Sequence, residues 1–334
     1  MFEIRPRSPQ LPNYPIAQLP NSPVPWLYNP AMRSDFDWRL RSRILSLGRR
    51  TLLVGILNVT PDSFYDGGTY FRPQAAIEQA LRMLDEGADI LDIGGESTRP
   101  GAHVLPAKGG LSSSAVDAAE ELQRILPVIE AVLAARPETL ISVDTYKASV
   151  AAAVVAAGAE IVNDISGLSW DPDMAATVAH CRCGVVLTHT RGRPEEWGAL
   201  PLLGDAVVGL VKRDLRTLAA NAVAAGIARH RIVLDPGFGF GKRLDDNYPL
   251  LARWDELQQL GYPLLAATSR KSFIGHTLGR GGRAVSPTER LFGTLGTVAA
   301  AILKGAHLVR VHDVAAARDV ALICDQVVQA EARG

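Results

Sequence analysis

The chain has 334 residues, 47% of them hydrophobic and 21% charged, and its formal net charge is zero. That is the composition of a globular protein long enough for one large α/β domain or two small ones. Zero net charge excludes a bulk field drawing the chain to nucleic acid or an anionic membrane, so any affinity for phosphates has to come from local clusters.

The N-terminus, MFEIRPRSPQLPNYP, has no apolar core of the kind a signal peptide needs. No stretch approaches the roughly 18 consecutive apolar residues of a membrane span. The expectation is a soluble, cytoplasmic protein. Residues 1 to about 34 are rich in Pro and Asn without periodicity and read as an extended arm. DFDWRLRSRILSLGRR, residues 35–50, reads as a short hairpin covering one end of the fold. The division is therefore an N-terminal extension over 1–50 and a single domain over 51–334.

From Thr51 a cycle sets in: a short apolar run, a polar or glycine-rich loop, then a helical stretch. The runs are TLLVGILNV, DILDIGG, LISVDT, EIVNDIS, CGVVLTHT, RIVLDPGFGF, PLLAATSR and HLVRVHDV, eight in all. Between them, PQAAIEQALRMLDEGA repeats Ile77, Leu81, Leu84 and Ala88 at helical spacing, and the last helix repeats Val320, Ile323, Cys324 and Val327. Strands apolar on both faces, each followed by a helix, imply a parallel sheet covered by helices. Eight such units close into a (β/α)8 TIM barrel without an exposed edge. An open doubly wound sheet would need a glycine fingerprint after its first strand, which instead ends in NVTPDSF.

Active sites of such barrels lie at the C-terminal ends of the strands. The first run ends at Asn58, the second in Asp92, the third in Asp144 and the fourth in Asn163 and Asp164. The sixth ends in Asp235, the seventh in Ser269 to Ser272 and the eighth in Arg310 and His312. One such Asp could simply cap the next helix. Seven of eight strands delivering polar groups to one rim is harder to explain that way. Asp144, Asn163 and Asp235 suit a flat heterocycle with a guanidine-like edge, because a carboxylate accepts two parallel N–H bonds. Lys271 can donate to a ring carbonyl or nitrogen, and Arg310 can stack on an aromatic face or bind phosphate. The loop after Asn58 and ESTRPGA at 96–102 supply hydroxyls, Arg99 and glycines, the parts of a polyphosphate cradle. Asn58 and nearby oxygens could hold Mg2+ bridging to phosphates.

Three other readings fit these residues less well. Cys181 and Cys183, with His180 and His189 nearby, lack the second ligand pair of a zinc site, and three cysteines are too few for a disulfide scaffold. DPGFGFGK, residues 235–242, is neither a dinucleotide fingerprint nor a P-loop, because Lys242 is followed by Arg243. Its glycines suit a close turn round a bound ring, with Phe238 or Phe240 as an apolar wall. Lys271 in SRKS could form a Schiff base, but between Arg270 and two serines it reads as a donor to an anion or ring.

Together GILNVTPDSFYDGG, DIGGESTRPGA, SVDT, VNDISG, DPGFGFGK, SRKSFIG and RVHDV resemble the dihydropteroate synthase family of pterin-binding enzymes, from about residue 51 to the C-terminus. The resemblance implies a TIM barrel that joins 6-hydroxymethyl-7,8-dihydropterin diphosphate to 4-aminobenzoate in folate biosynthesis. It implies release of pyrophosphate, assistance by Mg2+ and a homodimer. By the same resemblance Asp144, Asn163, Asp235 and Lys271 contact the pterin edge, Arg310 stacks on the ring, and Asn58 is the metal and diphosphate residue. Asp66, Thr98 and Arg99 lie in two loops that close over the diphosphate, and His312 joins Arg310 in anion contacts. Ser272, Phe240 and Pro100 match the aminobenzoate pocket, and Asp92 the acid of the second strand. Asp66, Asp92, Arg99, Asp144 and Lys271 are the expected catalytic set.

Two stretches depart from the family pattern. THTRGRPEEW, residues 188–197, has threonines flanking His189 where methionines are more usual, and the segment 103–117 is longer than expected. The rival readings are a pterin-dependent methyltransferase barrel and a non-catalytic pterin-binding paralogue. The first need not hold a diphosphate, and the second should have lost loop residues that are intact here.

Overall fold

The computed structural model describes residues 33–60, 73–97, 101–102, 104 and 115–331. A hairpin comes first, β1 (Phe36–Arg39) and β2 (Ile44–Leu47). The first half of the barrel is β3 (Leu52–Asn58), α1 (Pro73–Asp85), β4 (Ile90–Gly94), α2 (Ala118–Ala135), β5 (Leu140–Asp144), α3 (Ala148–Ala156), β6 (Ile161–Asp164) and α4 (Met174–Cys181). The second half is β7 (Gly184–Thr188), α5 (Val207–Ala224), β8 (Ile232–Asp235), α6 (Tyr248–Ala252), α7 (Trp254–Gln258), β9 (Leu265–Ala266), α8 (Ser272–Thr277), α9 (Leu291–Leu303), β10 (Leu308–Val311) and α10 (Val314–Glu331).

The eight strands β3–β10 pair in parallel in the order β8-β7-β6-β5-β4-β3-β10-β9. A parallel bridge from Leu234 to Leu264 joins the two ends, so the sheet closes on itself. Each of the eight apolar runs read from the sequence contains one of these strands. Successive side chains of a strand face opposite sides, which splits every run into two sets. Leu91, Ile93, Ile141, Val143, Val162, Leu187, Leu234 and Val309 face outward and form the main core with the helices. Leu52, Val54, Ile90, Leu140, Ile161, Val186, Val233, Leu265 and Leu308 face inward and fill the lower lumen. The next inward positions towards the C-terminal ends are Asp92, Ser142, Asn163, Thr188, Asp235 and Arg310. The lumen therefore changes from apolar to polar along its own axis.

The hairpin plugs the apolar end. Trp38 is 1% exposed within the lumen cluster, and its Nε1 donates to the Arg231 carbonyl at 2.8 Å. A side chain on Gly184 would start 2.5 Å from Leu40 and 3.1 Å from the Trp38 ring, so only glycine lets the plug seat against β7. His307 binds the chain entering the hairpin: Nδ1 accepts from Leu264 N–H at 3.1 Å, and Nε2 lies 2.9 Å from the Ser34 carbonyl. Buried Asp325 of α10 takes Arg33 at 3.0 Å and the Thr51 amide at 2.8 Å.

The helical stripes read from periodicity need adjustment. In α1 the fully buried residues are Ala76, Ala80 and Met83, one position before the expected Ile77, Leu81 and Leu84. Helical side chains lean towards the N-terminus, so the larger residues cover the flank of the contact and the small ones its centre. In α10 the buried stripe is Val314, Ala317, Ala321 and Cys324, whereas Ile323 and Val327 are 69% and 43% exposed. Among the described residues no helix is long and apolar enough to cross a membrane.

Candidate active site

The polar tier is organised around a carboxylate that no solvent reaches. Asp92 is 0% exposed and lies two residues before the end of β4, not at the strand terminus where the sequence pattern put it. The last inward residue of that strand is Gly94, which pairs with Asn58 on one side and Asp144 on the other. Asp92 accepts from Ser142 Oγ at 2.6 Å, Asn163 Nδ2 at 3.0 Å and Arg310 Nε at 2.5 Å. An isolated buried carboxylate would be very costly; this one is sustained by three donors, one of them a guanidinium.

Arg310 spans upward from Asp92 to Asp144, where Nη2 donates at 2.7 Å. Its burial disfavours the charge, but Asp92 and Asp144 hold it above its ordinary pKa. The same burial pushes the Asp144 carboxyl up to about 7, against the pull of Arg310 and with a further push from Asp92. Asp235, at the end of β8, is likewise pushed by burial to about 6, opposed first by the Gly237 amide that donates to it at 2.7 Å. Lys271 is lowered to about 8 by burial and by Arg310, with Asp235 and Asp144 pulling it back. Groups from β5, β8, β10 and the loop after β9 thus share one electrostatic neighbourhood.

The glycine run after β8 presses against the loop after β7. Gly237 has φ +68°, and a side chain there would begin 2.0 Å from the His189 carbonyl. The buried Lys242 ties the same two loops, donating to His189 O at 3.1 Å and Phe240 O at 2.9 Å. Asn247 then fixes Gly239, whose amide donates to its Oδ1 at 2.7 Å. The outcome is a placed Phe240, with its ring centroid 3.8 Å from Lys271 Nζ and 5.0 Å from the Trp197 ring. Val104 belongs to this apolar group with Tyr146, Ile165 and Trp170; the rest of 103–117, apart from residues 115–117, lies outside the described residues.

Lys271 follows a turn in which Arg270 adopts φ +56°, a conformation non-glycine residues rarely hold. Arg270 is held there by a bidentate pair with Asp313 at 3.0 and 2.5 Å and by its amide to Thr294 Oγ1 at 2.9 Å. Nearby, the Ser269 hydroxyl accepts the His312 amide at 3.2 Å and lies 2.9 Å from His312 Nδ1. A hydroxyl oxygen has two lone pairs, so Ser269 can take the amide and still donate to or accept from Nδ1. Burial, Arg310 and Arg270 lower His312 to about 3, so the ring stands neutral.

Of the residues singled out in the sequence, Asp92, Asp144, Asn163, Asp235, Phe240, Lys271, Arg310 and His312 are gathered at this end of the barrel. Ser272 is exposed at the start of α8, and Asn58 ends β3. Asp66, Thr98, Arg99 and Pro100 lie outside the described residues. Asp164 spends its carboxylate on the Ser166 and Leu168 amides at 2.7 and 3.0 Å, so it braces the turn after β6 and neither caps α4 nor meets a ligand. His189 is buried, with Nε2 3.2 Å from Asp214. Sequence reasoning missed Ser142, Lys242 and the Arg270–Asp313 pair. Ser142 was findable, since it shares the inward parity of Asp144.

The family model described as pterin binding enzyme matches residues 54–312. The dihydropteroate synthase of Bacillus subtilis is 46% identical over 270 residues, 81% of this chain and 86% of that protein. This chain belongs to the dihydropteroate synthase family. Among solved structures, a dihydropteroate synthase of Xanthomonas albilineans with 4-aminobenzoic acid superposes with TM-score 0.77 at 44% identity, covering 89% of this chain and 99% of that one. A second from the same organism, in complex with 7,8-dihydropteroate, gives 0.73 at 42% identity over 86% and 97% of the two chains. Dihydropteroate synthases thus match this chain over most of its length, which favours that reading over the methyltransferase one.

Proposed function

We propose that this chain condenses 6-hydroxymethyl-7,8-dihydropterin diphosphate with 4-aminobenzoate, giving 7,8-dihydropteroate and pyrophosphate. The observation that carries the reading is the convergence of Asp144, Asn163, Asp235 and Lys271 on one water-poor tier. Acceptors and one cationic donor gathered at one mouth suit a flat ring with a guanidine-like edge. The carbon bearing the diphosphate loses its C–O bond, and the electron pair leaves with pyrophosphate. The reduced pterin carries the resulting cation, which the carboxylates of Asp144 and Asp235 favour electrostatically. The neutral aromatic amine then forms the C–N bond and releases its proton, so no protein nucleophile is needed. Arg310 is the proposed stacking partner of the pterin ring and, with the neutral His312, a proposed contact of the anion that departs; Arg99 and Thr98 are proposed loop contacts and Asp66 a proposed loop acid. Phe240, Ser272 and Pro100 form the proposed aminobenzoate wall.

Mg2+ is part of the proposal. The Asn58 side chain makes no hydrogen bond among the described residues, and facing Gly94 leaves open the space where a side chain would stand 3.9 Å from Asn58 Oδ1. An amide oxygen beside open space fits an ion that takes its remaining ligands from phosphates and water. When bound, it would neutralise charge on the leaving group.

A homodimer and a cytoplasmic location complete the reading. Phe292 on α9 and Leu322 and Ile323 on α10 are 83%, 59% and 69% exposed on two helices that pack side by side, an apolar surface that a second copy would cover. The three cysteines are free, which suits a reducing compartment. The decisive assay mixes protein, Mg2+, pterin diphosphate and 4-aminobenzoate and follows dihydropteroate. Pterin binding without product at saturating substrates would leave only the non-catalytic paralogue. Light scattering of the purified chain tests the dimer, and a monomer at micromolar concentration removes it.

A further inference from the structure

Ser142 is the inward-facing residue of β5 directly below Asp144, paired in register with Asp92 across the β4–β5 ladder. It is buried, and its hydroxyl donates to Asp92 Oδ1 at 2.6 Å. The other oxygen, Oδ2, takes both Asn163 Nδ2 at 3.0 Å and Arg310 Nε at 2.5 Å. The division of labour is strict: one hydroxyl serves Oδ1, and two site residues share Oδ2.

We propose that Ser142 is a positioning residue for pterin recognition, acting through Asp92 to set the orientation of Asn163 and Arg310. Its hydroxyl occupies Oδ1, so Arg310 meets Asp92 through Nε alone and keeps Nη2 for Asp144, 2.7 Å away. Without that hydroxyl, Oδ1 is a buried anionic oxygen with no donor, and the guanidinium is drawn into a two-toothed grip on Asp92. Asp144 then loses its Arg310 bond. Asn163 is affected in the same way. Because its amide N–H2 is committed to Asp92, its Oδ1 is the atom left to act as an acceptor for a ring. A carboxylate free to turn no longer enforces that choice.

This inference rests on the reading of Asn163 and Arg310 as pterin contacts, and the test separates the two. Steady-state kinetics of Ser142→Ala, Ser142→Thr and Asn163→Ala are compared in the same assay, with melting curves for each. Ser142→Ala should raise KM for pterin diphosphate about tenfold, the scale of one hydrogen bond to a charged group, and leave KM for 4-aminobenzoate near its starting value. The acid limb of kcat/KM should move to higher pH, because Asp144 has lost its cation. Ser142→Thr restores the hydroxyl beside a small lumen cavity lined also by Val54, Ile161 and Val186, and should recover most of the loss. If Ser142→Ala does not accumulate folded, Ser142→Cys, of similar size but a poor donor, is held to the same criteria. An impaired Asn163→Ala beside a normal Ser142→Ala overturns the positioning role alone. A normal Asn163→Ala overturns the pterin-contact reading and the inference with it. Equal losses for both substrates, or no recovery in Ser142→Thr, reduce Ser142 to a packing residue.

Discussion

Arg310 and Asp144 form a 2.7 Å ion pair across the mouth of the barrel, from the last strand to the third of its eight. The acid that would meet the pterin edge is therefore partly engaged before substrate arrives. A ring that offers N–H donors has to share this carboxylate with the guanidinium or displace it. Asp144→Asn keeps the shape but removes the charge, and should lower kcat/KM at least about tenfold. Lys271→Ala should do the same while leaving the melting temperature little changed, since among the described residues Lys271 makes no direct ion pair and its Nζ lies over the Phe240 ring. Near-normal turnover in either variant takes that residue out of the site.

The pH profile follows from the two buried carboxyls. Asp144 ionises near 7 and Asp235 near 6, both raised by burial. Only the ionised forms accept two ring N–H bonds and favour a cationic pterin. The value of kcat/KM for pterin diphosphate should thus fall as pH drops through 7 and then 6, and Asp235→Asn should lose the lower step. A profile flat from pH 8 to about 5 contradicts this assignment.

Trp38 lies at the opposite end of the lumen from the chemistry. Trp38→Ala removes the largest piece of the plug and the bond to Arg231, which should cost about 3–5 kcal/mol of stability. Denaturant melts measure that loss, and kcat/KM below the melting range should stay close to its starting value. A large catalytic defect in the still-folded variant would show that the plug also shapes the upper tier.

His307 sets part of the acid stability. Burial lowers its pKa from 6.5 to about 4, despite the bond to the Ser34 carbonyl. The unfolded chain binds a proton between those values and the folded chain does not, so the contribution is complete above about 6.5 and disappears as pH falls towards 4. His189, also lowered to about 4 by burial, adds to the same window. His307→Gln should therefore show a shallower loss of unfolding free energy between pH 6.5 and 4 than the parent, whatever its absolute stability. Parallel curves would assign the acid sensitivity to other groups.

Much of this was legible in the chain itself. The eight apolar runs and the polar residue near the end of most of them determine a closed parallel barrel with chemistry at one end, because strand and helix periods are local properties. The sequence by itself could not say which inward residues meet. Strand register and closure place Ser142 beside Asp92 and bring Arg310 across to Asp144, although 166 positions separate that pair. Nor could it say that Ile323 lies on the exposed side of α10, or that Gly237 must pass within contact of the His189 carbonyl. Periodicity gives each residue a face of its own element. Only the packed barrel gives that face a neighbour, and the pKa shifts and hydrogen bonds of the site come from neighbours.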